Sequence, residues 1–524
     1  MKNMTIKPVF FLTGILCLAS CDNRTALQVP GFIKNNGTAS LQMQQVRRKE
    51  TAPTYKKITD KAPDYLSSAD SKKRKEILFE RLLNACLRYE DDVYVGDLGI
   101  SCSNDNPEHK RLYEEFLTFY PFVFHIIEDG GISINYKAQN NDELDKYKFI
   151  YKISKNSFEE KFKKFENTLE RFYGVMQEGM DDAELSFVIY RELLKNTVYS
   201  DGSVHSSDAL GALIDGKSIC QGYGLSYRRL MNGIGIETEA VTGAMIGYPE
   251  GHMWNRIKLN GKWYNAEPTW DDNKAGNVYR QDDCLGRYFL TSDYKFHNEL
   301  NHPYVFSEEY PELPAADDKK YDSDSPVFRN SDKKSNITYH NGYWYYFLDT
   351  DRSIYKSNFD GSEKKVLYVK EEISIKNPEL HRLEFGTDRI YFIDYVKEHY
   401  YLQSENEKYR IYSMDYDGAN LKEEKLLPEF RAPLKPESDK PLQKRSCVAL
   451  RGEIALSKVK DAYFHGTENY FNPQAEQRKE FINTIKEAEN LLTTEPSDGD
   501  KAALLYVKLQ KMRKEYTMPQ TCSP

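Results

Sequence analysis

The 524-residue chain lacks Cys-x-x-Cys and His-x-x-x-His spacings, so no pattern in it calls for a zinc ion. It lacks a basic excess: 73 Lys and Arg stand against 81 Asp and Glu, a net charge of −8. A nucleic-acid-binding chain would carry a basic stripe, so nucleic acid is excluded as the main partner. Beyond residue 18 it has no apolar run of the roughly 20 residues that a helix needs to cross a bilayer. What it does have is aromatic mass. The 39 Tyr and 26 Phe can fill cores despite a hydrophilic composition, and the length accommodates roughly two to four domains.

The N-terminus reads as a targeting segment. Lys2 and Lys7 precede the apolar run Val9–Leu18, which is too short for a mature membrane span. The run ends Leu18-Ala19-Ser20-Cys21. Small residues before a cysteine resemble the bacterial lipoprotein signal, which implies cleavage after residue 20 and lipidation of Cys21. An ordinary secretory signal with a coincidental cysteine is the alternative. The expected location is the bacterial cell envelope, with the mature chain exported and held to the membrane by lipid alone. Residues 21–69 are polar and aperiodic, as a flexible tether would be. Of the 8 cysteines, Cys86 with Cys102 and Cys447 with Cys522 are plausible bridges in an exported protein, which leaves Cys284 over. The sequence does not fix that pairing.

Chemistry concentrates in two short stretches. Asp215-Gly216-Lys217-Ser218 is a turn by composition. Cys220 follows it at the start of a helical pattern carried by Leu225, Leu230 and Met231 and closed by Gly233 and Gly235. A thiol at a helix N-terminus faces the positive end of the dipole, where backbone N–H groups favour the thiolate and can receive an oxyanion. Further on, His252–Leu259 alternates, Asn260-Gly261 is a strong two-residue hairpin signal, and Lys262–Glu267 returns. With Leu259 opposite Lys262, Trp254 faces Glu267, and His252 and Glu267 become diagonal neighbours roughly 7–8 Å apart at the backbone. A carboxylate there would fix the imidazole tautomer and leave the other ring nitrogen to the thiol. Cys220, His252 and Glu267 are thus candidate nucleophile, base and orienter. A buried structural cysteine and an isolated structural histidine are the plainer alternatives for each residue alone.

The segment from about Asp181 to Tyr304 resembles the bacterial transglutaminase-like superfamily, with its papain-like Cys-His-Asp arrangement. The matching residues are Gly216-Lys217-Ser218-Ile219-Cys220-Gln221-Gly222-Tyr223-Gly224, His252-Met253-Trp254-Asn255, Trp263-Tyr264 and Thr269-Trp270-Asp271-Asp272. Arg287-Tyr288-Phe289-Leu290-Thr291-Ser292-Asp293 is similar as well. The resemblance implies Cys220 as nucleophile, His252 as base and position 267 as third member. That family usually has Asp where this chain has Glu267, so Asp271, on the same face by hairpin parity, is the reserve third member. Tyr199, Gln221 and Trp254 are the candidate oxyanion or substrate contacts, with a packed tyrosine the alternative for Tyr199. No cofactor or metal is implied.

The expected fold class is α+β. An α+β lead-in over 70–180 precedes a papain-like transglutaminase core over 181–313. An antiparallel β-repeat region follows over 325–430, where Tyr343-Trp344-Tyr345-Tyr346-Phe347 and Asp360-Gly361 are echoed by Arg389-Ile390-Tyr391-Phe392-Ile393 and Asp417-Gly418. The repeats resemble β-propeller blades, but two units cannot close a ring. A buried sheet face is the favoured reading of their aromatic residues, over a sugar or peptide site. Residues 431–471 read as a Pro- and Lys-rich linker and 472–517 as a helical hairpin. Together these imply a cysteine peptidase, amidase or acyltransferase acting on a protein or peptide, cell-wall peptide among the candidates. A surface adhesion module on a drifted scaffold is the rival.

Overall fold

The computed structural model describes residues 4–6, 69–103, 108–120, 123, 131–137, 140–151, 154–244, 251–272, 286–305, 315–329, 334–348, 350–370, 383–386, 389–396, 408–425, 447–467, 475–495 and 498–515. Cys21, the expected tether and Cys284 therefore lie outside the described residues, as does most of the expected leader. Within the expected leader, Met4–Ile6 pairs as an edge strand with Gly131–Lys137.

The lead-in combines helices Ala69–Arg88, Glu108–Phe119 and Lys155–Tyr173 with a four-stranded antiparallel sheet built mainly on the Gly131–Lys137 and Asn140–Ile150 pair. Leu78, Leu82 and Cys86 recur at helical spacing and are wholly buried, which turns one face of the first helix inward. The Cys86–Cys102 bridge is not formed, and both residues are thiols. Cys86 points into the core, while the Cys102 sulfur donates to the Asn141 carbonyl at 3.6 Å. Cys447 is also a buried thiol, and Cys522 lies outside the described residues.

The central unit opens with helix Asp182–Asn196. Its start is fixed by a reciprocal capping box, with Asp181 accepting from Glu184 N and Glu184 from Asp181 N, both at 2.9 Å. Helix Cys220–Gly233 then packs on a five-stranded antiparallel sheet ordered Phe289–Thr291, Lys262–Ala266, His252–Leu259, Thr238–Ala244, Tyr304–Val305. Asn260 and Gly261 both have positive φ, 50° and 80°, which suits the right-handed twist of the hairpin strands. The register is the one the turn dictates: Leu259 opposes Lys262 and Asn255 opposes Ala266. Gly222 permits the close approach of the helix to the preceding loop. A β-carbon there would sit 2.0 Å from Ser218 Oγ and 2.5 Å from the Asp208 carbonyl oxygen.

The β repeats form two four-stranded antiparallel meanders, Lys334–His340 through Lys365–Val369 and Leu383–Phe385 through Lys422–Glu424. Side-chain alternation along Tyr343–Leu348 lets the first sheet use both faces. Trp344 and Tyr346 join the main core, where Trp344 Nε1 donates to Glu184 at 2.8 Å. Tyr345 and Phe347 point the other way and pack with Leu383, Ile390, Phe392 and Met414 of the second sheet. The aromatic run is therefore largely packing surface. Arg329 links this region to the central sheet, donating to the carbonyls of Gly286, Arg287, Leu290 and Tyr321.

The linker expected over 431–471 is corrected in its second half. Cys447–Thr467 is a helix, because Val448, Leu450, Ile454, Ala455 and Val459 supply a continuous buried face. It precedes the two helices that fall in the range expected for the hairpin, Ala475–Thr494 and Gly499–Glu515. Arg451, wholly buried, donates to the Ile234 carbonyl and to Asp182. Arg513 pairs with Glu453, Glu166 and Glu170. The C-terminal helices thus return to the lead-in and the central unit.

Candidate active site

Cys220 is the first residue of its helix, after Ile219 in extended conformation. The approach is pinned: Ile219 N and Ser218 Oγ both donate to the Ser206 carbonyl, at 2.9 and 2.8 Å. No side chain caps the helix, so its first N–H groups remain available at the nucleophile's end. The thiol is almost buried and hydrogen-bonded to His252, and the Met253 backbone N–H points at the sulfur. Burial pushes the thiol pKa up, but the bond and charge of His252 outweigh it and leave the group below its ordinary value.

His252 begins its strand, which places the imidazole at the rim of the sheet. Its Nε2 lies 2.9 Å from Glu267 Oε2, so Nδ1 is the nitrogen left for the thiol. Burial disfavours the imidazolium, yet the Glu267 charge and the thiol raise His252 well above its ordinary range. Thiol down and imidazole up is the signature of a thiolate–imidazolium pair.

Glu267 is fully buried and engaged at both oxygens. Oε1 accepts from Thr269 N at 2.6 Å and Trp270 N at 3.1 Å, capping the short helix Pro268–Asp271. Oε2 faces His252 and, at 3.3 Å, His302 Nε2. Against the cost of burial, His252 and His302 hold the carboxyl down at about 2. His302 also is fully enclosed, its ring 3.8 Å from Phe296, 4.6 Å from Trp270 and 4.7 Å from Trp254 between centroids. Burial lowers it to about 4, so it is neutral at physiological pH. Nothing in the sequence pattern singles out His302, which follows the short helical segment Tyr294–Glu299 and precedes the edge strand Tyr304–Val305. His252, Glu267 and His302 offer ligand atoms within 4.8 Å of one another and are close enough to hold a metal ion. In the geometry described they form a hydrogen-bonded chain, and a cation would have to displace the proton shared by His252 and Glu267.

Asp271, the reserve third member, is turned elsewhere. Its carboxylate accepts from Tyr190 Oη at 2.6 Å and from the backbone N–H groups of Arg287 and Tyr288. The parity argument fails because the strand stops at Ala266 and a helical turn begins at Pro268. Trp254 is corrected as a substrate contact: it is wholly buried, and its Nε1 donates to Asn265 Oδ1 at 3.2 Å. Gln221 is exposed in the first turn beside Cys220. Tyr199 is half-buried and packs on the core; its strand pairs in parallel with Lys217–Ser218, and its N–H donates to Asp272.

A thiol at a helix start, an imidazole at a strand start and a carboxylate just past the end of the next strand make a thiol–imidazole–carboxylate site on a scaffold of helices and antiparallel strands. Residues 172–268 match the family model of the Transglutaminase-like superfamily, a span that holds all three groups, so this part of the chain is similar to a transglutaminase-like domain. No curated protein matches the chain. A solved structure described as "Crystal structure of a TGase" is similar at 14% identity and a TM-score of 0.19, over 29% of this chain. The chain spans 46% of that protein's length.

Proposed function

We propose that this chain is an exported, lipid-anchored cysteine enzyme acting on amide or peptide bonds. The observation that carries the reading is the Cys220–His252–Glu267 hydrogen-bonded chain, with the thiol below and the imidazole above their ordinary values. The Cys220 thiolate attacks the carbonyl carbon, and the oxyanion is received by the uncapped N–H groups of the helix start. The C–N bond breaks as His252 delivers its Nδ1 proton to the leaving amine. A thioester remains on Cys220. Water then gives hydrolysis and an amine gives acyl transfer, with His252 taking the proton from either acceptor. The substrate is a protein or peptide, with cell-wall peptide a candidate by location. Incubation with peptide and glutamine-amide substrates tests the reading. Turnover with a mass increment on Cys220 supports it; a protein inert on every substrate, with an unreactive thiol, would be the drifted scaffold of a binding module.

The anchor is the second part of the proposal. Among the described residues no helix is long and apolar enough to cross a membrane, so attachment would rest on Cys21. Acylation needs that thiol, and Cys21→Ser is expected to move the protein from the detergent to the aqueous phase or leave its leader uncleaved. Identical partitioning of wild type and variant into detergent, with the leader cleaved from both, would remove lipidation of Cys21 from the proposal.

A further inference from the structure

We infer that His302 is a positioning residue of the site, donating from Nε2 to Glu267 Oε2 and so fixing the carboxylate that orients His252. The inference rests on the catalytic reading of Cys220 and His252. A glutamate carries one more side-chain torsion than an aspartate, and an orienter free to rotate holds its imidazole poorly. Here the extra torsion is removed from both ends. Thr269 N and Trp270 N grip Oε1, and His302 meets Oε2 beside His252.

His302 has two acceptors within reach, Glu267 Oε2 at 3.3 Å and the Pro303 carbonyl at 3.2 Å from Nδ1. A neutral imidazole carries one proton and can satisfy only one of them. A hydrogen bond to an ionised carboxylate is roughly twice as strong as one to a neutral carbonyl, which places the proton on Nε2. The ring itself is held by Phe296, Trp254 and Trp270, so the donor arrives at Glu267 without conformational search. The surrounding aromatic cage also means that a phenyl ring can replace the imidazole with little change of shape.

The test is a double-mutant cycle read by the rate of Cys220 alkylation with iodoacetamide at pH 6, each variant first shown to unfold cooperatively. His302→Phe removes the donor and is expected to slow alkylation about tenfold, by analogy with the loss of partners that orient a functional ligand. His302→Gln keeps an N–H donor and is expected to recover most of the rate. If His302 acts through Glu267, His302→Phe adds nothing in a Glu267→Gln background. The same fold-loss in both backgrounds, or none in either, would overturn the inference. So would a wild-type rate abolished by EDTA and restored by zinc, which would make His302 a metal ligand. A wild-type thiol that is slow, and indifferent to His252→Ala, would overturn the catalytic reading and this inference together. A fast, His252-dependent wild type with a silent His302→Phe would overturn this inference alone.

Discussion

Cys220→Ala is expected to abolish amide hydrolysis and acyl transfer while leaving the fold intact. The thiol supplies the bond that becomes the thioester, and neither His252 nor Glu267 can stand in for it. Loss of a nucleophile from a site whose members act as a unit costs on the order of 10⁶ in kcat. The structural cost is small, because alanine removes one sulfur from a helix start whose geometry is set by backbone bonds around Ser206 and Ile219. The check is turnover beside a thermal melt, where about 1 kcal/mol corresponds to a shift of only a few degrees in a chain this large. Undiminished activity in purified Cys220→Ala protein would rule out the thioester route.

Glu267→Gln is expected to lower kcat by roughly 10²–10⁴, the upper end being the loss seen when a serine-protease triad's orienting carboxylate becomes an amide. The reason is a count of acceptors. Glu267 accepts from Thr269 N, Trp270 N, His252 and His302 through two oxygens, and glutamine offers one oxygen. If that oxygen keeps the backbone cap, the amide N–H₂ faces His252 and favours the wrong tautomer. If it faces His252, two buried backbone donors meet an N–H₂. Asp271→Asn is the contrast. Its partners are Tyr190 and the backbone at Arg287 and Tyr288, so it is expected to cost about 1–3 kcal/mol of stability and to leave Cys220 reactivity near wild type. Crippled chemistry in Asp271→Asn with a silent Glu267→Gln would reverse the assignment.

Much of this site is legible in the residues because local rules govern it. Asn260-Gly261 fixes a two-residue hairpin, the hairpin fixes register, and register brings His252 to Glu267. The turn before Cys220 marks a helix start in the same local way. What is not legible depends on distant packing or on the end of a periodic element. Asp271 shares the strand parity of Glu267 on paper, but Pro268 ends the strand and a helical turn rotates it away. His302 lies in irregular chain, and only the fold carries it into the cage formed by Phe296, Trp254 and Trp270. The Cys86–Cys102 pairing follows from cysteine counting in a chain expected to be exported, whereas burial on one helix face gives Cys86 a packing role. The Cys447–Thr467 helix hides behind a Pro- and Lys-rich stretch. Its buried face is matched by partners such as Asp182 and the Ile234 carbonyl, more than 200 residues away by sequence.

The central claim is that Cys220 and His252 form a thiolate–imidazolium pair, and the pH dependence of Cys220 alkylation measures it most directly. Burial raises the thiols of Cys86, Cys102 and Cys447, so among the described cysteines modification at neutral pH should fall on Cys220, which peptide mapping resolves from the rest. A thiol with a lowered pKa is increasingly protonated only as pH falls through that lowered value, and a raised imidazole keeps its proton until pH rises through its own. The pair therefore persists between the two. The expected result is fast alkylation of Cys220 that holds below the usual cysteine range of about 8–9 and shifts up to that range in His252→Ala. A rate that rises only through the ordinary thiol range in wild type, unmoved by His252→Ala, would contradict the claim.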